Sequence, residues 1–212
     1  MQDNLKITGG IYLVLDPAME KVLLLSKLSE ALKAGISAVQ IWNNWQAGAD
    51  KLEWIEDIAG LCSFFNVPLL INEDWELLAK SSYIQGIHFD KIPDNIESIR
   101  KTVGREFLTG VTCSGDLNTV HWAQENNCDY ISFCAMFPSA SAGECSIVMP
   151  ATVNTARAIT SMPLFVSGGI TPSNIITLKK ETSFDGVAVI SGILSADKPL
   201  KKIKEYKDAL NN

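Results

Sequence analysis

Histidine is scarce in this sequence: His88 and His121 are the only two among 212 residues. Multi-histidine metal clusters and triads built on a histidine base have little to draw on. The five cysteines, Cys62, Cys113, Cys128, Cys134 and Cys145, form no C-x-x-C pair. An odd, scattered set excludes a zinc ribbon or a disulfide framework and predicts a reduced, cytoplasmic setting. A basic excess is also missing, since 18 Lys and Arg face 24 Asp and Glu for a net charge of −6. That balance argues against a nucleic-acid surface, which needs cations to replace counterions on phosphates. No apolar run approaches ~18 residues, so no membrane span is expected. The stretch Met1 to Lys6 has no apolar core of the signal-peptide type. No Pro/Gly/Ser-rich linker or composition shift divides the chain, which predicts one domain over residues 1–212. Homo-oligomerisation is left open.

What is present is an alternating chain in which 47% of the residues are hydrophobic, ample for a core. Short apolar runs read as strands at Ile11–Leu15, Ala38–Trp42, Pro68–Ile71, Gly86–Phe89, Phe107–Val111, Tyr130–Phe133, Leu164–Ser167 and Gly186–Ile190. Helical spacing intervenes, as in Leu24, Leu25, Leu28, Ala31 and Leu32 before Gly35, and in Leu52, Ile55, Ile58, Ala59 and Cys62. A helix from Pro199 to Leu210 closes the chain. Eight strand-helix units predict the α/β class and a single (β/α)8 TIM barrel. An open doubly wound sheet suits eight short strands in this length less well.

The stretch Leu164 to Asn174 organises the rest. A buried strand runs into Gly168 and Gly169, which turn tightly and bring backbone close to a ligand. Thr171 or Ser173 can then cap a helix. The pattern returns in Gly186–Ile190 followed by Ser191, Gly192 and Ile193. Two such turns at the end of a barrel predict a phosphate grip after strands seven and eight, with Gly169 and Ser191 offering backbone N–H groups. The plainer reading is a pair of ordinary βα turns.

Barrel sites lie at strand C-termini. Those positions hold Gln40, Trp42, Asn43, Asn44 and Trp45; Asn72, Glu73 and Asp74; His88, Asp90 and Asp94; Thr112, Cys113 and Ser114; and Ser139 and Ser141. The acids after strands three and four can share Mg²⁺ with substrate phosphates. Helix capping is the competing role for Asp74 and Asp94. His88 reads as packing in preference to a general base. Trp42 and Trp45 can stack on an aromatic ligand, pack, or form a subunit contact.

Over nearly its full length the sequence resembles the thiamine-phosphate synthase family with its thiazole tautomerase branch. The resemblance is carried by Ile11–Asp16, Ala34–Gln40, Val67–Asn72, Gly86–His88, Cys128–Ile131, Phe137–Pro138, Pro163–Asn174 and Asp185–Ile193. It implies a barrel transferase of thiamine biosynthesis that joins an aminopyrimidine diphosphate to a thiazole phosphate and releases diphosphate with Mg²⁺. Residue by residue it implies a catalytic role for Thr112 and Gln40, the threonine standing where the family has serine. Substrate binding is implied for Gln40, Asn72, Ser139, Ser141, Gly168, Gly169, Ile190 and Ser191, and metal binding for Glu73 and Asp94. The diphosphate subsite departs from the pattern. Trp42 and Asn44 replace Arg and Lys, Ala142 replaces Lys, and Pro93 replaces the second metal aspartate. Activity reduced or lost, a tautomerase-like enzyme and a non-catalytic binder of a phosphorylated heterocycle are the alternatives. The tautomerase histidine falls on Ser114.

Overall fold

The computed structural model describes residues 6–139 and 146–212. Eight strands pair in parallel and in chain order: β1 Gly10–Leu15, β2 Ala38–Ile41, β3 Leu69–Asn72, β4 Gly86–Phe89, β5 Leu108–Thr112, β6 Tyr130–Phe133, β7 Leu164–Ser167 and β8 Gly186–Val189. Pairing of β1 with β8, from Gly10 opposite Gly186 to Leu13 opposite Val189, closes the barrel. The fold is therefore a (β/α)8 TIM barrel, with strand ends within a residue of those expected.

The strands are apolar on both faces because each face has its own core. Outward residues such as Ile11, Leu13, Leu15, Val39 and Ile41 pack under the helices in one large cluster. Inward residues Tyr12, Val14, Ala38, Leu70, Leu108, Tyr130 and Phe165 form a second cluster in the lumen. Two glycines make room for the lumen aromatics. A Cβ on Gly110 would lie 2.1 Å from Tyr130 Cζ, and one on Gly186 would lie 2.4 Å from Phe165 Cε1.

Helices α1 Lys21–Lys33, α2 Lys51–Phe64, α3 Trp75–Lys80, α4 Ile96–Val103, α5 Leu117–Glu125, α6 Pro150–Ile159, α7 Pro172–Glu181, α8 Ser191–Leu194 and α9 Pro199–Asn211 surround the strands. Their starts show local capping. Asp74 accepts from Leu77 N at 3.1 Å and so caps α3. Asp94 does not cap α4, because Asn95, one residue later, accepts from Ser98 N at 2.9 Å. Thr171 and Asn174 form a reciprocal capping box on α7. Among the described residues no helix is long and apolar enough to cross a membrane.

Candidate active site

Polar side chains replace the apolar ones where inward-facing positions reach the strand C-termini. Gln40, Asn72, His88, Thr112, Ser132 and Ser167 come from β2 to β7 in turn and all line one cavity of about 380 Å³. Gly168, Gly169, Ile190, Ser191 and Gly192 close its far side, and Ser139 contributes from the β6–α6 loop. The expected residues Gln40, Asn72, Thr112, Ser139, Gly168, Gly169, Ile190 and Ser191 thus surround the same space. Ser141, Ala142 and Cys145 lie outside the described residues. Tyr12, Tyr130, Phe165 and Cys134 also line the cavity and were not anticipated. Their signal is parity: Tyr130 and Cys134 lie two residues either side of Ser132, Phe165 is opposite Ser132, and Tyr12 is opposite Ala38, two residues before Gln40.

The two glycines after β7 have φ of +78° and +64°. The clash a Cβ would make at Gly168 is with protein, at 2.4 Å from Ala135 Cβ. Close approach here is first between the β7 turn and the β6–α6 loop, which Met136 N and Phe137 N bind through Ser167 O and Gly168 O at 2.9 and 3.1 Å. Asn174 Nδ2 donates to Gly169 O at 2.9 Å, and Tyr206 of α9 donates to Ile170 O at 2.7 Å. The turn is held from three sides, and Ser191 and Gly192, the first residues of α8, line the cavity beside it. Helix-start N–H groups have no intrahelical partner and suit an anion.

Across the cavity floor runs a line of buried hydrogen bonds. Tyr12 donates to Gln40 Oε1 at 2.8 Å, and the Tyr12 and Tyr130 hydroxyls are 2.8 Å apart. Tyr130 meets His88 Nδ1 at 2.9 Å, and His88 Nε2 meets Thr112 Oγ1 at 2.9 Å. The His88 ring stacks on Tyr130 at 5.6 Å. Burial lowers the His88 pKa to about 4, so the imidazole is neutral at pH 7. Desolvation likewise raises the Tyr12 and Tyr130 phenols well above their ordinary value. Burial lifts the thiols of Cys62, Cys113 and Cys128 to about 12, which makes them inert as nucleophiles.

The acids sort themselves by distance from the cavity. Asp90 lines it and accepts from Asn72 Nδ2 at 3.0 Å. Glu73, with φ +60°, turns its carboxylate back onto Asp90 N. Desolvation raises the pKa of both, and the Asp90 charge raises that of Glu73 further. Asp94 is exposed and does not line the cavity. Among the described residues no three His, Cys, Asp or Glu side chains cluster as a ready metal cage. Asn72 spends its amide on loop contacts: Nδ2 also reaches His88 O, and Oδ1 accepts from Asn43 N, both at 3.3 Å.

No Lys or Arg is found among the described residues that line the cavity, and Asp90 is the sole charged one. Trp42 occupies the wall between Gln40 and the mouth. Asn44 is directed elsewhere, donating to Asp16 Oδ1 at 2.9 Å. Trp45 packs edge-on against Trp54, with ring centroids 6.3 Å apart, and does not line the cavity.

Comparison with known proteins identifies the family. The family described as "Thiamine monophosphate synthase" matches residues 11–193. The thiamine-phosphate synthase of Azoarcus sp. (strain BH72) is 32% identical over 198 residues, which are 93% of this chain and 95% of the relative. That of Clostridium tetani (strain Massachusetts / E88) is 30% identical over 211 residues, 98% of this chain and 99% of the relative. Among solved structures, the thiamine phosphate pyrophosphorylase from Pyrococcus furiosus superposes with a TM-score of 0.80 at 19% identity, covering 98% of both chains. With a family match across all eight strands and near full-length relatives, the chain belongs to the thiamine monophosphate synthase family.

Proposed function

We propose that this chain acts in the cytoplasm, as a single barrel domain over residues 1–212, on the phosphorylated small molecules of thiamine-phosphate synthesis. In this reading a thiazole phosphate rests its phosphate on the N–H groups around Gly168–Gly169 and Ile190–Ser191. An aminopyrimidine sits between Gln40 and Thr112, with Ser139 near its leaving group; a part for Ser141 is implied by the family resemblance alone. The reaction is a substitution: the bond from the pyrimidine methylene to diphosphate oxygen breaks, diphosphate leaves with the electron pair, and the thiazole nitrogen supplies the new bond. The protein's work is then to hold two rings in line and to neutralise the departing charge.

The gathering of Gln40, Thr112, Gly168, Gly169, Ile190 and Ser191 around one cavity carries this reading, and we read neutralisation as its weak step. A charge-assisted hydrogen bond contributes about 1.5–3 kcal/mol. Three missing cations at Trp42, Asn44 and Ala142 cost roughly 4–9 kcal/mol, on the order of 10³- to 10⁶-fold. Glu73 and Asp90 fit Mg²⁺ as a pair of neighbouring carboxylates whose raised pKa values a cation would relieve. When bound with diphosphate, the ion supplies charge for the leaving group. Asn72 keeps Asp90 in place for it.

A non-catalytic binder differs from a slow synthase only in turnover. Nothing favours a tautomerase, since Ser114 is no base and both nitrogens of His88 are engaged. Calorimetry with Mg²⁺ tests the proposal: thiazole phosphate binds with a measurable Kd, and the pyrimidine diphosphate binds much more weakly. Equal tight binding of both would contradict it.

A further inference from the structure

The five-residue line from Gln40 to Thr112 has a property that no single bond in it shows. Each hydroxyl carries one proton, and neutral His88 carries one on either nitrogen. Tyr12 gives its proton to Gln40 Oε1, so its oxygen accepts from Tyr130. Tyr130 has then spent its proton and accepts from His88, which places the imidazole proton on Nδ1. His88 Nε2 is left an acceptor, and Thr112 must donate to it. Both ends of the line border the cavity. With the line in this sense, Gln40 has its NH₂ to offer and Thr112 Oγ1 presents only lone pairs.

The opposite sense is equally complete. Were Gln40 to turn its NH₂ inward, every proton would step the other way. His88 would carry Nε2–H, Gln40 would show the cavity a carbonyl, and Thr112 would show it a donor. Mixed senses leave a buried phenol or imidazole group unpaired, which is costly.

We propose that Tyr12, Tyr130 and His88 are positioning residues that tie the hydrogen-bond polarity at Gln40 to that at Thr112. The cavity then selects a heteroaromatic ring that accepts from Gln40 and donates to Thr112. The coupling stands on the cavity alone; the ring selection rests on the pyrimidine-binding reading above. Gly110 is part of the device, because only a residue without Cβ leaves room for the Tyr130 ring.

The test is ¹⁵N NMR of histidine-labelled protein, in which exposed His121 supplies the signal of a ring averaging between tautomers. His88 in the wild type gives a protonated-type signal at Nδ1 and an unprotonated-type signal at Nε2. Tyr12→Phe removes the acceptor of Tyr130, whose proton turns to His88 Nδ1. Gln40→Leu removes the acceptor of Tyr12 and reverses the line from its far end. Either substitution therefore moves the protonated-type signal to Nε2, although neither site bonds to His88. A role limited to packing would leave the tautomer unchanged. Wild-type His88 in the Nε2–H form overturns the sense of the line and with it the ring selection, and no reversal in whichever variant folds overturns the coupling.

Binding of two uncharged probes tests the ring selection. Wild type takes 4-aminopyrimidine at least about tenfold more tightly than 4-methylpyrimidine, which keeps the ring acceptors but has no donor for Thr112 Oγ1, and Tyr12→Phe narrows that ratio. Equal binding of both by the wild type overturns the selection. A reversal seen in a protein that never forms thiamine phosphate would remove the synthase reading and leave the coupling intact.

Discussion

Gly168 shows how one residue decides the shape of the turn after β7. Its φ of +78° disfavours any side chain, and an added Cβ lies 2.7 Å from the backbone at Ala135 Cα. Gly168→Val should destabilise the fold by about 2–4 kcal/mol through backbone strain and overpacking. It should also weaken thiazole phosphate binding, as urea denaturation and calorimetry would read. An unchanged denaturation midpoint would show that the β6–α6 loop yields freely. His88 carries a second residue-scale prediction. Its folded pKa, about 4, lies below the ordinary 6.5, so the unfolded chain binds the proton first. His88 stabilisation is present above pH 6.5 and is lost as pH falls towards 4, by about 2–3 kcal/mol at pH 4.5. The stability advantage of wild type over His88→Gln should shrink by that amount between pH 7 and 4.5. A constant difference would mean that the ring is already charged or solvated in the fold.

On the scale of elements, strands were legible because inward and outward faces are both apolar, giving short Val/Ile/Leu-rich runs punctuated by Gly, Pro and Asp. Their ends shift by a single residue, at Asn72 and Thr112 for example, because polar residues at strand C-termini still pair in the ladder. Capping was ambiguous in the sequence wherever two candidates adjoin: Asp94 and Asn95 are both competent, and only the loop path selects the asparagine. The roles of Gly110 and Gly186 were hidden, since the rings that need their space arrive from neighbouring strands. Gly110→Ala should therefore cost about 1–3 kcal/mol by overpacking Tyr130. Gly60→Ala in α2, where nothing lies within 4 Å of the new Cβ, should instead stabilise by about 0.5–1 kcal/mol. Paired thermal or urea melts of the two variants separate lack of space from lack of propensity. Equal shifts would remove the argument for the lumen.

For the whole molecule, the barrel brings residues from opposite ends of the chain around one cavity, and much of that gathering was readable once eight units had been counted. What remained unreadable was which acid faces inward. Glu73 was expected as a ligand with Asp94 or Asp90 beside it; Asp90 is the one that lines the cavity, and the left-handed turn at Glu73 brings its carboxylate to Asp90 N. The line of phenols under the cavity was likewise invisible, since Tyr12 and Tyr130 are 118 residues apart. The shortage of cations was visible in the sequence, and no Lys or Arg stands among the described residues that line the cavity. Restoring cations with Trp42→Arg, Asn44→Lys and Ala142→Lys together tests the account most directly, by coupled formation of thiamine phosphate from both substrates with Mg²⁺. The account predicts a gain in turnover of at least ~10-fold, below the estimated loss because Pro93 still withholds a carboxylate. Wild-type turnover already within the usual range of about 1–10³ s⁻¹, with no gain in the triple variant, would contradict it.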